Sequence, residues 1–223
     1  MHLTHVLLYT NQLENLRHFY AETLGLEVNG NGTESITVKI GPSLLEFRYH
    51  PESRYYHFAI NIPFNQIDDA LQWIKAKTAV LPFDGSEIVP FKSWNAEAVY
   101  FKDPAGNILE FIARKNLNET SDAPFGPASF QRISEIGVPV KSVSEVFENL
   151  HFIAKQDIYS GDLHRFCAVG NEYGLFILIN PEEKKWIPEM VDARFFPLEV
   201  HFTNYKNETF HALLDENGWF KFV

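Results

Sequence analysis

Cysteine is almost absent from this chain. Cys167 is the only one among 223 residues, so no internal disulfide can form, and this usage suits a reducing cytoplasm. Basic residues are outnumbered, with 19 Lys and Arg against 29 Asp and Glu, for a formal charge of −10. Nucleic acid and anionic membranes both call for basic patches, so neither is an expected partner. No apolar run approaches the roughly 20 residues of a membrane span. The N-terminus, MHLTHVLLYTNQLENLR, lacks the basic region and small-residue cleavage site of a secretion signal. A cytoplasmic location is expected. The N-x-T sequons at Asn31, Asn118 and Asn207 then carry no weight, because glycosylation needs secretion.

Apolar and aromatic residues are plentiful. Hydrophobic residues make up 45% of the chain, with 20 Phe, nine Tyr and four Trp, and charged residues 22%. Those are the proportions of an ordinary globular protein with a substantial core. The length suits one large domain or two small ones.

LTHVLLYT reads as a strand with Leu3, His5, Leu7 and Tyr9 on one face. In NQLENLRHFYAETLG, Leu13, Leu16, Phe19, Tyr20 and Leu24 fall at helical spacing and Gly25 stops the helix. LEVNG, SITVKIG and SLLEFRYH follow as strands separated by turns, completing a βαβββ unit. The order recurs. YYHFAINIP is a strand, FNQIDDALQWIKAK a helix, and AEAVYFKDPAGNILEFIAR a hairpin turning at Asp103–Asn107. Residues 1–115 are thus two copies of one unit. Residues 116–129, NLNETSDAPFGPAS, have the composition of a linker. Residues 130–223 restart the pattern with SEIGVPV, the helical KSVSEVFENL and strands through GLFILIN. A truncated fourth copy follows, with FPLEVHFT as a strand, NETFHALLDENG as a helix, and WFKFV. The expected organisation is a 1–115 domain, a linker and a degenerate 130–223 domain.

Side by side, the first two copies carry matching polar residues. His5 and His57 sit on their first strands, Glu46 and Glu110 on their last. A lone His in a strand is usually a hydrogen-bonded core residue, and a lone strand Glu can simply face water. The joint recurrence argues for more. If the copies pair, two imidazoles and two carboxylates converge inside one curved sheet. That set suits a divalent ion such as Zn, Ni, Co, Fe or Mn, and the ion would offset the burial of two acids. His18, His50, His151, His164, His201 and His211 have no matching partners and read as surface or structural. Cys167 reads as a small core residue. Tyr55, Tyr56, Phe58, Phe91, Trp94, Tyr100 and Phe101 read as core, with Phe91 and Trp94 alternatively lining the mouth of a pocket.

The motifs T-H-V-x-L-x-x-x-x-L-E-x-x-x-x-F-Y-x-x-x-L-G-L, L-L-E-F, Y-H-F-A-I and D-P-x-G-N-x-L-E-F resemble the vicinal oxygen chelate superfamily, which includes glyoxalase I, bleomycin- and fosfomycin-resistance proteins and extradiol dioxygenases. The resemblance covers residues 1 to about 115. It implies an α+β fold in which paired βαβββ modules form a cupped mixed sheet around a divalent metal. His5, Glu46, His57 and Glu110 match the four ligand places of glyoxalase I-like members. Members with two His and one Glu would keep His5, His57 and Glu110. Where glutathione-type glyoxalase I enzymes carry an Asn four residues after the first ligand Glu, this chain has His50, which argues against glutathione. The C-terminal half lacks the set. Its strand matching His5 carries Glu135, and GLFILIN, matching Glu46, has no central acid. That half is expected to bind no metal, unlike standard ring-cleaving dioxygenases.

The resemblance implies a lyase or isomerase on a small oxygen-bearing substrate that chelates the metal, with Glu110 as proton-transferring base and Glu46 as the alternative. A metal-free small-molecule binder of the bleomycin-resistance kind and an iron-dependent dioxygenase are the competing readings. The expected partner is a small molecule, and the chain a monomer or homodimer.

Overall fold

Strands in this protein come in two kinds, and burial separates them. The computed structural model describes residues 1–30 and 32–223, so the Asn31 sequon lies outside the described residues. Unit one comprises β1 (His2–Thr10), α1 (Leu13–His18, continued by a wider turn over Phe19–Thr23), β2 (Val28–Asn29), β3 (Ser35–Ile40) and β4 (Ser43–Tyr49). Unit two comprises β5 (His57–Ile62), α2 (Ile67–Lys75), β6 (Val80–Leu81), β7 (Val89–Phe91), β8 (Ala96–Lys102) and β9 (Ile108–Arg114). Unit three comprises β10 (Arg132–Pro139), α3 (Val143–Ala154), β11 (Ile158–Gly161), β12 (Phe166–Asn171) and β13 (Gly174–Ile179). Unit four is β14 (Leu198–Thr203), β15 (Thr209–Leu214) and β16 (Phe220–Phe222). The fold is α+β: mixed, unclosed sheets with few helices, built from repeated modules.

The units pair one with four and two with three. One sheet has seven strands in the order β16-β15-β14-β1-β4-β3-β2. The other has nine, running β11-β12-β13-β10-β5-β9-β8-β6, with β7 on β8. In each the first strands of two units meet antiparallel, β1 with β14 and β5 with β10. Each sheet therefore takes strands from both halves of the chain. The 116–129 segment packs Phe125 against Trp73, Phe111 and Phe130.

The helix expected over NETFHALLDENG is not there. Its middle is β15, whose alternate residues Ala212 and Leu214 are buried. Period-two burial against β14, with Phe202 opposite Phe210 and His201 opposite His211, outweighs the helical tendency of a short Ala-Leu-Leu run.

One face of each sheet joins a continuous core. Val6, Leu8 and Phe202 from the seven-stranded sheet and Phe58, Phe111 and Phe176 from the nine-stranded sheet share it. The outer faces differ. In β4 burial alternates, with Leu44 and Arg48 exposed. In β5 and β9 every residue is buried, because a second apolar layer containing Tyr100, Ile177 and Trp186 covers the outer face. Strands buried on both faces read as near-continuous apolar runs, so a polar residue within them needs a partner.

Candidate metal centre

Three central strands of the nine-stranded sheet supply that exception. Ala59 of β5 lies directly opposite Glu110 on β9 and Glu135 on β10. Two residues earlier on the same strand face is His57. The methyl group of Ala59 leaves space into which the three longer side chains converge. The Asp103–Asn107 turn sets the register of β9. Gly106 turns there at φ +86°, a conformation favourable for glycine, and Asp103 Oδ1 accepts the backbone N–H groups of Ala105 and Asn107.

His57, Glu110 and Glu135 are all buried. Each offers a ligand atom, and these atoms lie within 4.8 Å of one another. His57 Nε2 is 3.6 Å from Glu110 Oε2. The other ring nitrogen, Nδ1, is 3.2 Å from the Ile108 carbonyl. A carbonyl only accepts, so Nδ1 carries the proton and Nε2 presents its lone pair. Burial pushes the imidazole down to about 4, so the ring is neutral near pH 7. Trp186 packs over it at 5.2 Å between centroids. Gly137 on β10 makes that possible, since a Cβ there would lie 2.7 Å from the Trp186 ring.

The two acids are not equivalent. Burial raises the Glu110 carboxyl well above its usual range, and the neighbouring Glu135 raises it further. Burial also raises Glu135, but the Arg114 guanidinium pulls it back. Arg114 Nη2 donates to Glu135 Oε1, its Nε donates to Asn61 Oδ1 at 3.3 Å, and its guanidinium lies 5.4 Å from the Trp94 ring centroid. Of the two carboxyls, Glu135 therefore holds the ionised form more readily. Tyr100, directly across from Glu110 on β8, is kept protonated by burial and by that carboxylate.

This donor set fits a divalent ion. It combines a free imidazole lone pair with two buried carboxylates, whose burial is costly without a cation. The three residues line a cavity of about 260 Å³ with Trp94, Phe166 and Trp186 among its walls. That is slightly below the roughly 300–1,000 Å³ of sites for drug-sized ligands.

The structure does not bring His5, Glu46, His57 and Glu110 together. His57 and Glu110 stand in the nine-stranded sheet, His5 and Glu46 in the seven-stranded one. Units one and two supply first strands to different sheets, so matching positions in the repeat end up in different cups. Glu46 is engaged already, with His5 Nε2 at 3.1 Å and Arg48 Nη2 at 3.0 Å. His201, read as surface or structural, stacks on His5 at 5.3 Å and on His211 at 4.1 Å. His211 Nε2 is 3.1 Å from Glu199. Among the described residues only the His57 group brings three such side chains within mutual reach. Glu135 was the residue missed. Its signal was an acid on a third-unit strand at the place His5 occupies in unit one, within a half of the chain expected to contribute nothing. Of the aromatics, Phe91, Trp94 and Tyr100 line the cavity, whereas Tyr56, Phe58 and Phe101 lie in the main core.

Fold and site together define a glyoxalase-like architecture of paired modules around a buried His and two Glu. Residues 2–111 match the family model of the Glyoxalase/Bleomycin resistance protein/Dioxygenase superfamily, and over this N-terminal half the chain belongs to that superfamily. Glyoxalase I from Zea mays aligns with a TM-score of 0.57 at 13% identity, covering 98% of this chain and 90% of that one. A Bacillus subtilis subsp. subtilis str. 168 protein, provisionally described as a dioxygenase, aligns with a TM-score of 0.59 at 14% identity. It covers 80% of this chain, which spans 63% of its length. At these identities the likeness is one of fold. No curated protein sequence matches the chain. No helix is long and apolar enough to cross a membrane.

Proposed function

We propose that the protein is a metal-dependent enzyme of the lyase or isomerase type, acting on a small substrate that presents two neighbouring oxygens. The observation that carries this reading is the buried His57–Glu110–Glu135 group at the floor of a covered cavity. One divalent ion, Zn, Ni, Co, Fe or Mn, would be held by His57 Nε2 and the two carboxylates. When bound, the ion supplies Lewis acidity to a chelating substrate.

The chain's own groups divide the remaining work. The Ile108 carbonyl fixes the His57 tautomer. Arg114 favours the ionised form of Glu135 against its burial and orients it. Glu110 has no guanidinium of its own, and its proton affinity is raised by burial and by its neighbour. It is the group suited to take a proton from substrate and return it, since a base works best with a pKa near the working pH. Trp186 and the layer around it exclude water.

The test is a screen of α-keto-aldehyde thiol adducts and catechols with the metal-loaded protein, followed by Glu110→Gln. That variant keeps volume and an oxygen donor but loses basicity. Turnover is expected to fall by about 10² to 10⁴-fold while some metal remains bound. Unchanged turnover removes Glu110 from the base role. The aromatic walls also favour a sequestering protein, and tight substrate binding by a metal-free protein would select that reading instead.

A further inference from the structure

One cation lining this cavity has no part in holding the metal or moving the proton. Lys184, in the segment between β13 and β14, lines the same cavity as the three candidate ligands. Its ammonium lies 4.6 Å from the centre of the Phe166 ring. No carboxylate among the described residues forms an ion pair with it. The nearby candidates are committed elsewhere. Glu183 pairs with His164 at 2.8 Å. Asp162 accepts the backbone N–H groups of His164 and Arg165. Lys185 also lines the cavity but is bound to Asp192 at 2.7 Å.

Lys184 is partly desolvated: burial and repulsion from Arg165 lower its proton affinity, and attraction to Asp162, which forms no ion pair with it, only partly offsets them. A half-buried, unpaired ammonium beside a second cation is costly in a chain whose net charge is −10. An incoming anion relieves that cost. The floor adds to the selection. With a divalent ion held by both carboxylates and Arg114 beside them, the floor would carry net positive charge. The lining also carries flat aromatic groups, with Phe91 and Trp94 stacked at 5.9 Å and Trp186 on His57.

We infer that the substrate is a small aromatic carboxylic acid. Its neighbouring oxygens meet the metal floor, its ring lies among Trp94, Phe166 and Trp186, and its carboxylate is received by Lys184. The floor and Lys184 line one cavity of about 260 Å³, which has room for one such molecule. The inference rests on the metal-site reading for the floor alone; the carboxylate contact stands by itself.

The experiment follows tryptophan fluorescence while the metal-loaded protein is titrated with 3,4-dihydroxybenzoate and, separately, with 3,4-dihydroxybenzamide. The acid should bind about tenfold or more tightly than the amide, the scale of one charge-assisted contact. Lys184→Gln should abolish that difference with metal content unchanged, and Lys184→Arg should restore it. Equal affinity for the two probes in the unsubstituted protein, no binding of either, or a preference that survives in Lys184→Gln overturns the inference. Stripping the metal with a chelator reads out the floor separately. It should weaken acid and amide alike, and failure to do so removes the metal reading while leaving the acid preference to decide Lys184.

Discussion

The outer faces of the two sheets began as the same design and ended as different things. Both have a His on a first strand and a Glu on a last strand, in matching places of a repeat. On the seven-stranded sheet the face is open. His5 keeps 26% of its side-chain surface exposed, and Glu46 is held by His5 and Arg48. On the nine-stranded sheet the connection between β13 and β14 folds over the face, and Trp186 seals His57, which keeps 7%. A third strand adds Glu135, and Arg114 balances part of the charge. What separates a candidate site from a polar surface is the cover and the third ligand, not the repeated pair. The same carboxylate chemistry is inexpensive in water and costly under an apolar lid.

The widest gap between the two faces should appear in their arginines. Arg114→Met removes the partner of a buried carboxylate, and urea unfolding of the chelator-treated protein should show a loss of about 3–5 kcal/mol. Arg48→Met removes an exposed partner and should cost no more than about 1 kcal/mol. Similar losses for the two would mean that the nine-stranded face is as well hydrated as the other.

A smaller effect probes the joint between the regions. Tyr20, from unit one, donates to Asp103 at the turn leading into β9. Burial pushes the Asp103 carboxyl up to about 6 despite four donors, against about 3.9 in an unfolded chain. The folded state thus favours the protonated form. This contribution is fully present below about pH 4 and is lost as pH rises through 6, and it amounts to about 3 kcal/mol over that window. Stability measured from pH 4 to 7 should fall by that much more in the parent protein than in Asp103→Asn. Parallel curves would show that the turn carboxyl is ionised throughout.

The individual units were readable from local pattern. Alternation located β1 and β4, apolar runs located β5 and β9, helical spacing located α1 and α2, and the turn at Asp103–Asn107 fixed the register of Glu110. The partnering of units was not readable, because nothing in a strand of six residues says which distant first strand it will meet. That choice sent His5 and His57 to different sheets. It also brought Glu135 opposite Ala59 across the 116–129 segment. The fourth unit misled for a related reason: without a tertiary partner, the composition of TFHALL, Thr209–Leu214, suits a helix, and only the β14 ladder makes it a strand. The lid was legible only as an aromatic excess, with Trp186 carrying no motif.

Metal content of a matched pair of variants tests the assignment of the site most directly. His57 and His5 occupy equivalent positions in units two and one, so His57→Ala and His5→Ala are chemically the same change on the two faces. The parent protein should hold about one divalent ion per chain by elemental analysis after equilibration with Zn or Mn. His57→Ala should lose most of that affinity, by about 100-fold or more, and His5→Ala should keep it. Retention of the ion in His57→Ala, or its loss in His5→Ala alone, would place the metal on the open face and contradict a centre built on His57, Glu110 and Glu135.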